Sequence, residues 1–400
     1  MVDQSFQEIE FYDRTKVLYI FGYFFLLFGG WSFKFFDFLS GDVLLITQYA
    51  YLFWGYNHWA DNPYSLLTKT NTFYFKWIIA GIFLSMIPAA LYHNQSLFVS
   101  ITAYRAQYLW FSFLVLLRIA PTEQEIVKAC LLNLFVMWTA YLCKLFYPSM
   151  FPVPKNVWIP KKDNSFDVGY IPGMAMTIFV LYYYYDKIRD CANRVNVFYF
   201  ALAFVFLLAM SNRSNLFAAV ITIVMSAMLV KSQNRSRIIA IVLLGAVVSF
   251  FVLDSYWSSL LDETTNQVND DDYNRNKALY YYLYEGSENF LTKILGNGFL
   301  SSRSSRVMAD LMDMGIYNSD MGFVGFWNQF GIIPVIIFIV VPILAIMNKT
   351  MPLYVKMIGS HILLCSYSIS YFGVPSYAMI FILFYYLFVL HKRYTLELYR

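Results

Sequence analysis

The sequence predicts an all-α, polytopic integral membrane protein with about twelve transmembrane helices, and three observations carry that prediction. Hydrophobic residues make up 59% of the 400 residues, while charged residues make up only 14%. A soluble domain needs about 25% charge to cover its surface. The apolar residues also fall in blocks of about membrane-spanning length, so the chain is counted in spans. No linker, internal repeat or low-complexity tract divides residues 1–400, which are expected to form a single transmembrane domain.

The blocks run over 17–31, 38–55, 75–92, 97–117, 126–146, 169–185, 197–211, 214–230, 237–254, 321–347, 356–372 and 375–391. The polar, acidic start MVDQSFQEIEFYDRTK does not suit a cleavable signal peptide, so the first block is expected to remain as a helix. Orientation follows from lysine and arginine. With the N-terminus inside, 17 of the 29 basic residues lie on the inner side, against six in short outer loops. Both termini are therefore expected in the cytoplasm. The net charge of +4 gives no reason to expect nucleic acid.

The loops are uneven. Residues 255–320 form one polar loop between helices nine and ten, and 147–168 are rich in proline and lysine. Both are expected on the outer face, where loops of this length usually carry function. The four cysteines form neither a disulfide framework nor a paired metal motif, and no HExxH, GxSxG or Walker A motif is present. Asp270–Asp272 contains a D-x-D pattern that reads as solvated loop, and no metal or cofactor is expected.

Four places carry chemistry. Arg213, in AMSNRSN between spans seven and eight, is pinned at the outer interface beside Ser211, Asn212 and Ser214. A guanidinium there suits a headgroup or diphosphate, though plain snorkelling is the commoner use. Arg275 and Lys277, in DDDYNRNKALYYYLYEG, fall on an amphipathic pattern over 274–284 that suits a helix lying on the membrane. Asp320 sits where the long loop returns to the membrane, next to Tyr317 and Asn318. It can cap a helix or orient a substrate hydroxyl. Arg105 lies about two turns inside the fourth span, where a charge needs a partner or a wet cavity. A functional role in an outer cavity is the expectation, over the plainer one of pairing with a neighbouring helix's carbonyl or with Asp42. The histidines are weak signals: His361 reads as a satisfied bundle residue, and only His93 falls outside. The runs Tyr182–Tyr185 and Tyr280–Tyr282 read as interfacial belt.

Together, SNRS, NRNKALYYYLYEG with the following LGNGF, and YNSDMGFVGFWNQFGIIP resemble the O-antigen polymerase and O-antigen ligase superfamily. The architectural likeness spans almost the whole chain, whereas the motif likeness is confined to these segments. It implies a metal-independent glycosyltransferase at the periplasmic face of the bacterial inner membrane. Its donor would be a growing glycan on undecaprenyl diphosphate. The resemblance implies that Arg213 and Arg275 hold the diphosphate; from their own positions, Arg105, Lys277, Tyr317 and Asn318 are expected as substrate contacts. Ligases of that family carry a histidine at the position of Asp320. The departure favours a polymerase over a ligase, and a chain-length regulator is the protein partner expected. A flippase for lipid-linked sugars is the reading from another class, disfavoured because the sequence shows no related halves.

Overall fold

The computed structural model describes residues 13–29, 41–146, 173–209, 213–229, 236, 274–286, 289–301, 310–311, 313–314, 321–367 and 375–398. Every regular element among them is helical. Helix α1 (Arg14–Phe24) begins at Asp13, whose carboxylate accepts from the Thr15 amide at 2.8 Å, and ends in a π-turn over Phe25–Gly29. Helix α2 (Gly41–His58) packs on α1, where Tyr19 and Tyr51 stack at 4.8 Å and each hydroxyl donates to the other's carbonyl at 3.1 Å.

Three expected spans are not continuous helices. The stretch 75–92 becomes α3 (Phe73–Leu84) and α4 (Met86–His93), because Pro88 lacks the N–H that would bond back across Ser85. The stretch 97–117 becomes α5 (Leu97–Ala103), a 3₁₀ segment over Tyr104–Phe111 and α6 (Ser112–Ile119). Tyr104, fully buried, is held out of α-helical register by contacts to Ser85 and Phe299. The stretch 321–347 breaks into α13 and α14, described below.

Strong local signals build the next helix and its neighbours. Thr122 and Glu125 form a reciprocal cap on α7 (Glu123–Phe146): the Thr122 hydroxyl accepts from the Glu125 amide at 3.3 Å, and the Glu125 carboxylate from the Thr122 amide at 2.8 Å. Helix α8 (Met174–Asp190) is the centre of the bundle. It packs on α7, α9 (Arg194–Ala209) and the two C-terminal helices α15 (Leu353–Cys365) and α16 (Pro375–Leu398). Tyr182, Tyr183, Tyr184 and Tyr185 are all buried on it. This corrects the belt expectation: a helix apolar all round goes to the middle of a bundle.

Helix α10 (Arg213–Leu229) lies against α15. The long loop contributes α11 (Asn274–Tyr280), continued by a π-turn over Tyr281–Glu285, and α12 (Phe290–Leu295). Then α13 (Gly322–Phe330) leads through Gly331 into α14 (Ile332–Met347). Eleven of the expected spans fall on these helices. The twelfth, 237–254, lies outside the described residues. Among the described residues, the 21 residues Phe73–His93 are long and apolar enough to cross a membrane. Arg194–Leu208, Ser214–Leu229, Ile332–Met347 and Leu353–Cys365 are apolar but shorter.

Candidate functional site

Three of the segments singled out in the sequence meet at the C-terminal end of α15. The first turn of α10, which starts at Arg213, is clamped there from below. His361 Nε2 lies 3.0 Å from Asn215 Oδ1, its Nδ1 lies 2.8 Å from the Tyr182 hydroxyl, and the Cys365 thiol donates to the Ser214 carbonyl at 3.2 Å. His361 is fully buried, so all of its bonding capacity is spent inside the bundle.

The approach to α13 docks on the same end of α15. The Phe323 amide donates to the Ser366 carbonyl at 2.8 Å, and a Cβ on Gly322 would sit 2.2 Å from that oxygen. Met321 packs in turn under α11, in a small cluster with Ala278, Tyr282 and Leu311. The amphipathic pattern over 274–284 is thus a helix, with Ala278 and Tyr282 turned inward and Lys277, Leu279, Tyr280 and Tyr284 exposed.

The start of α10, the end of α11 and the approach to α13 therefore lie near one another. The side chains of Arg213 and Arg275, and residues Tyr317, Asn318 and Asp320, lie outside the described residues. Asp320 immediately precedes Met321 in the chain, and Arg275 is one helical turn before Ala278. The D-x-D run at 270–272 is likewise outside.

Arg105 is placed elsewhere. Its guanidinium pairs with Asp42 at 3.2 Å, with side-chain exposures of 58% and 66%, and its carbonyl accepts from the Tyr49 hydroxyl. Of the two partners weighed for it, the structure supplies Asp42. Any contact to substrate has to share that pair.

A second polar cluster was not singled out from the sequence. Asn297, in the LGNGF stretch, donates its backbone N–H to the Asn328 carbonyl at 2.6 Å and its side-chain amide to the Gly286 carbonyl. Asn328 Nδ2 donates to the same Gly286 carbonyl at 3.1 Å. The oxygen of the Asn297 side chain faces His93 Nε2 at 3.1 Å. Beyond it, the Phe299 amide donates to the Tyr104 hydroxyl at 2.8 Å, and Gln95 bridges Phe299 and Ser301. Gly296 and Gly331 let the strands cross back to back. Both have positive φ, +80° and +79°, and a Cβ on Gly331 would lie 2.0 Å from the Ile294 carbonyl. The signal for this knot was the pair of glycines around Asn297. Its partner His93, more than two hundred residues away, carries no local mark.

No known protein family matches this chain, and no curated protein sequence does either. The site thus rests on its own geometry and on the resemblance of its motifs.

At the opposite end of α15 lies a third polar cluster. The Tyr354 hydroxyl donates to Glu123 Oε2 at 2.7 Å and lies 2.9 Å from His391 Nε2, while the Tyr354 amide donates to Asp186 Oδ2 at 3.2 Å. Burial raises the Asp186 carboxyl above the usual carboxylate range, and Arg189 opposes that from 3.1 Å. Burial and the Glu123 charge likewise raise the Tyr354 phenol, so it stays a donor. Every member is bonded to another, which suits a latch joining α7, α8, α15 and α16.

Proposed function

We propose that the chain is a metal-independent glycosyltransferase of the bacterial inner membrane that polymerises lipid-linked repeat units of O-antigen or capsule. In this reading the chain has twelve spans, the lysine and arginine bias sets both termini in the cytoplasm, and the C-terminal end of α15 faces the periplasm. The observation that supports the reading is the closeness of the first turn of α10, the end of α11 and the approach to α13. In this reading Arg213, Arg275 and Asp320 act together at one outer site, as the resemblance implies.

In the proposed reaction a hydroxyl of a new repeat unit attacks the anomeric carbon of a glycan on undecaprenyl diphosphate. Arg213 and Arg275 grip the diphosphate and offset the charge that develops as it leaves. Lys277, exposed on α11, adds positive charge beside it. Asp320, with Tyr317 and Asn318, orients the acceptor hydroxyl. With no second carboxylate assigned to this site, a single inverting displacement is the favoured course. Arg105 contributes through its pair with Asp42. The working partners are the lipid-linked oligosaccharide, the bilayer and a chain-length regulator.

The test is polymer formation from purified lipid-linked units. Arg213→Ala and Arg275→Ala are each expected to abolish it with protein level unchanged. Lysine at either position restores little, because a point charge cannot grip a diphosphate at two oxygens. Full chain length from both lysine variants rules out the clamp. Asp320→Asn is expected to cut turnover by about 10²-fold or more if the carboxylate acts on the hydroxyl. It is expected to change nothing if Asp320 only caps α13. Deleting the protein should leave lipid A core bearing one repeat unit. Bare core would indicate a ligase, and repeat units trapped inside a flippase.

A further inference from the structure

The proposed reaction leaves one group unassigned, the acceptor of the proton from the attacking hydroxyl. An aspartate beside arginines is a weak base, since nearby cations favour its charged form. We propose that His93 is that acceptor and that Asn297 is its positioning residue, an inference that rests on the function proposed above.

The orientation of the imidazole is fixed by its neighbour. The amide nitrogen of Asn297 is committed to the Gly286 carbonyl, so its oxygen must face His93. An oxygen can only accept, which puts the proton of neutral His93 on Nε2 and leaves a lone pair on Nδ1. Among the described residues Nδ1 has no partner, and His93 is only half-buried. This is the arrangement a general base needs: one nitrogen held by a fixed acceptor, the other open. Asn297 is itself 6% exposed and tied by its backbone to Asn328, so the pair is rigid.

Position agrees with chemistry. Gly286, the anchor of Asn297, closes the turn that continues α11, the helix of Arg275 and Lys277. Helix α13 connects the two places, from Gly322 near the proposed arginine clamp to Asn328 beside Asn297, a rise of about 9 Å. The remaining histidines cannot serve. His361 is fully buried with both nitrogens bonded, His391 sits in the cluster at the opposite end of α15, and the sequence puts His58 on the inner side.

In the step, the acceptor oxygen forms its bond to the anomeric carbon while its proton passes to His93 Nδ1. The bond from that carbon to the diphosphate oxygen breaks, and its electron pair leaves with undecaprenyl diphosphate. The imidazolium then returns the proton to solvent.

The experiment compares His93→Ala and His93→Gln with wild type in detergent, using undecaprenyl-diphosphate-linked repeat units as substrate and recording kcat, KM and melting temperature. Glutamine keeps an N–H for Asn297 and offers no base. Both variants are expected to lose at least about 100-fold in kcat with KM little changed, and added imidazole to restore part of the rate to His93→Ala alone. Glutamine working at the wild-type rate overturns the inference and leaves His93 as a pin for the 296–301 segment. Lost rate with a lowered melting temperature and no rescue by imidazole overturns it in the same way. Wild-type protein that makes no polymer overturns the inference together with the function proposed above, whereas active wild type with active variants overturns only the inference.

Discussion

His361 and His93 are each held against the side-chain oxygen of an asparagine, at 3.0 Å to Asn215 and 3.1 Å to Asn297. The second nitrogen separates them. In His361 it meets the Tyr182 hydroxyl at 2.8 Å with no surface exposed, and the ring is a strut between α8, α10 and α15. In His93 it has no hydrogen-bond partner among the described residues, and the ring is half-buried at the end of α4. The same dyad is thus closed in one region and open in the other. A histidine's role is set by what the second nitrogen finds, because neutral imidazole has one donor and one acceptor to place.

The open region breaks most easily at its backbone crossing. Gly331→Ala puts a methyl 2.0 Å from the Ile294 carbonyl in a conformation with φ of +79°, and neither strand can yield without tearing the 294–299 segment from α13. The expected outcome is the largest of any single change: no polymer and a sharply lowered melting temperature. Gly359→Ala is the matched control in the closed region. Its nearest neighbour is a Phe384 ring carbon at 3.2 Å, which can shift by a few tenths of an ångström. Equal damage from the two would remove the 296–331 crossing as the keystone of the site.

These two regions were unequally legible in the sequence. Hydropathy located the helices well, because burial in a bundle demands long apolar runs wherever the chain goes. It missed the break at Ser85, which Pro88 imposes locally, and those at Tyr104 and Gly331, which arise from contacts between distant residues. His361 was readable as a satisfied bundle residue, since a polar side chain inside an apolar run must find a partner. His93 sits at a helix end, where a polar residue needs no explanation, so its pairing with Asn297 left no trace. The tyrosine run at 182–185 misled in the other direction: aromatic residues mark both interfaces and central helices, and only packing decides between them.

A subtler break is His361→Ala. It removes two buried hydrogen bonds, to the Tyr182 hydroxyl and to the Asn215 oxygen, and leaves the Cys365 thiol as a weaker partner of that oxygen, at about 1–3 kcal/mol. Melting temperature should fall while kcat per folded molecule stays within a few-fold of wild type, the reverse of the pattern expected at His93. A large drop in kcat without loss of stability would show that the strut also shapes the Arg213 end of α10.

The smallest effect is expected at Arg105 and Asp42, a charged pair that belongs to neither region. Both side chains are more than half exposed, and an exposed ion pair contributes at most about 1 kcal/mol. Arg105→Gln and Asp42→Asn should each move the melting temperature only slightly, and high salt should erase the difference. The more informative measurement is turnover. If Arg105 only joins the 3₁₀ segment to α2, both variants polymerise normally, and the exchange Arg105→Asp with Asp42→Arg restores any small loss of stability. If the guanidinium also touches the lipid-linked substrate, Arg105→Gln raises KM while Asp42→Asn leaves it unchanged or lowers it, because removing the carboxylate frees the cation. The exchanged pair would then recover stability without recovering KM, which separates a structural partner from a ligand contact at one residue.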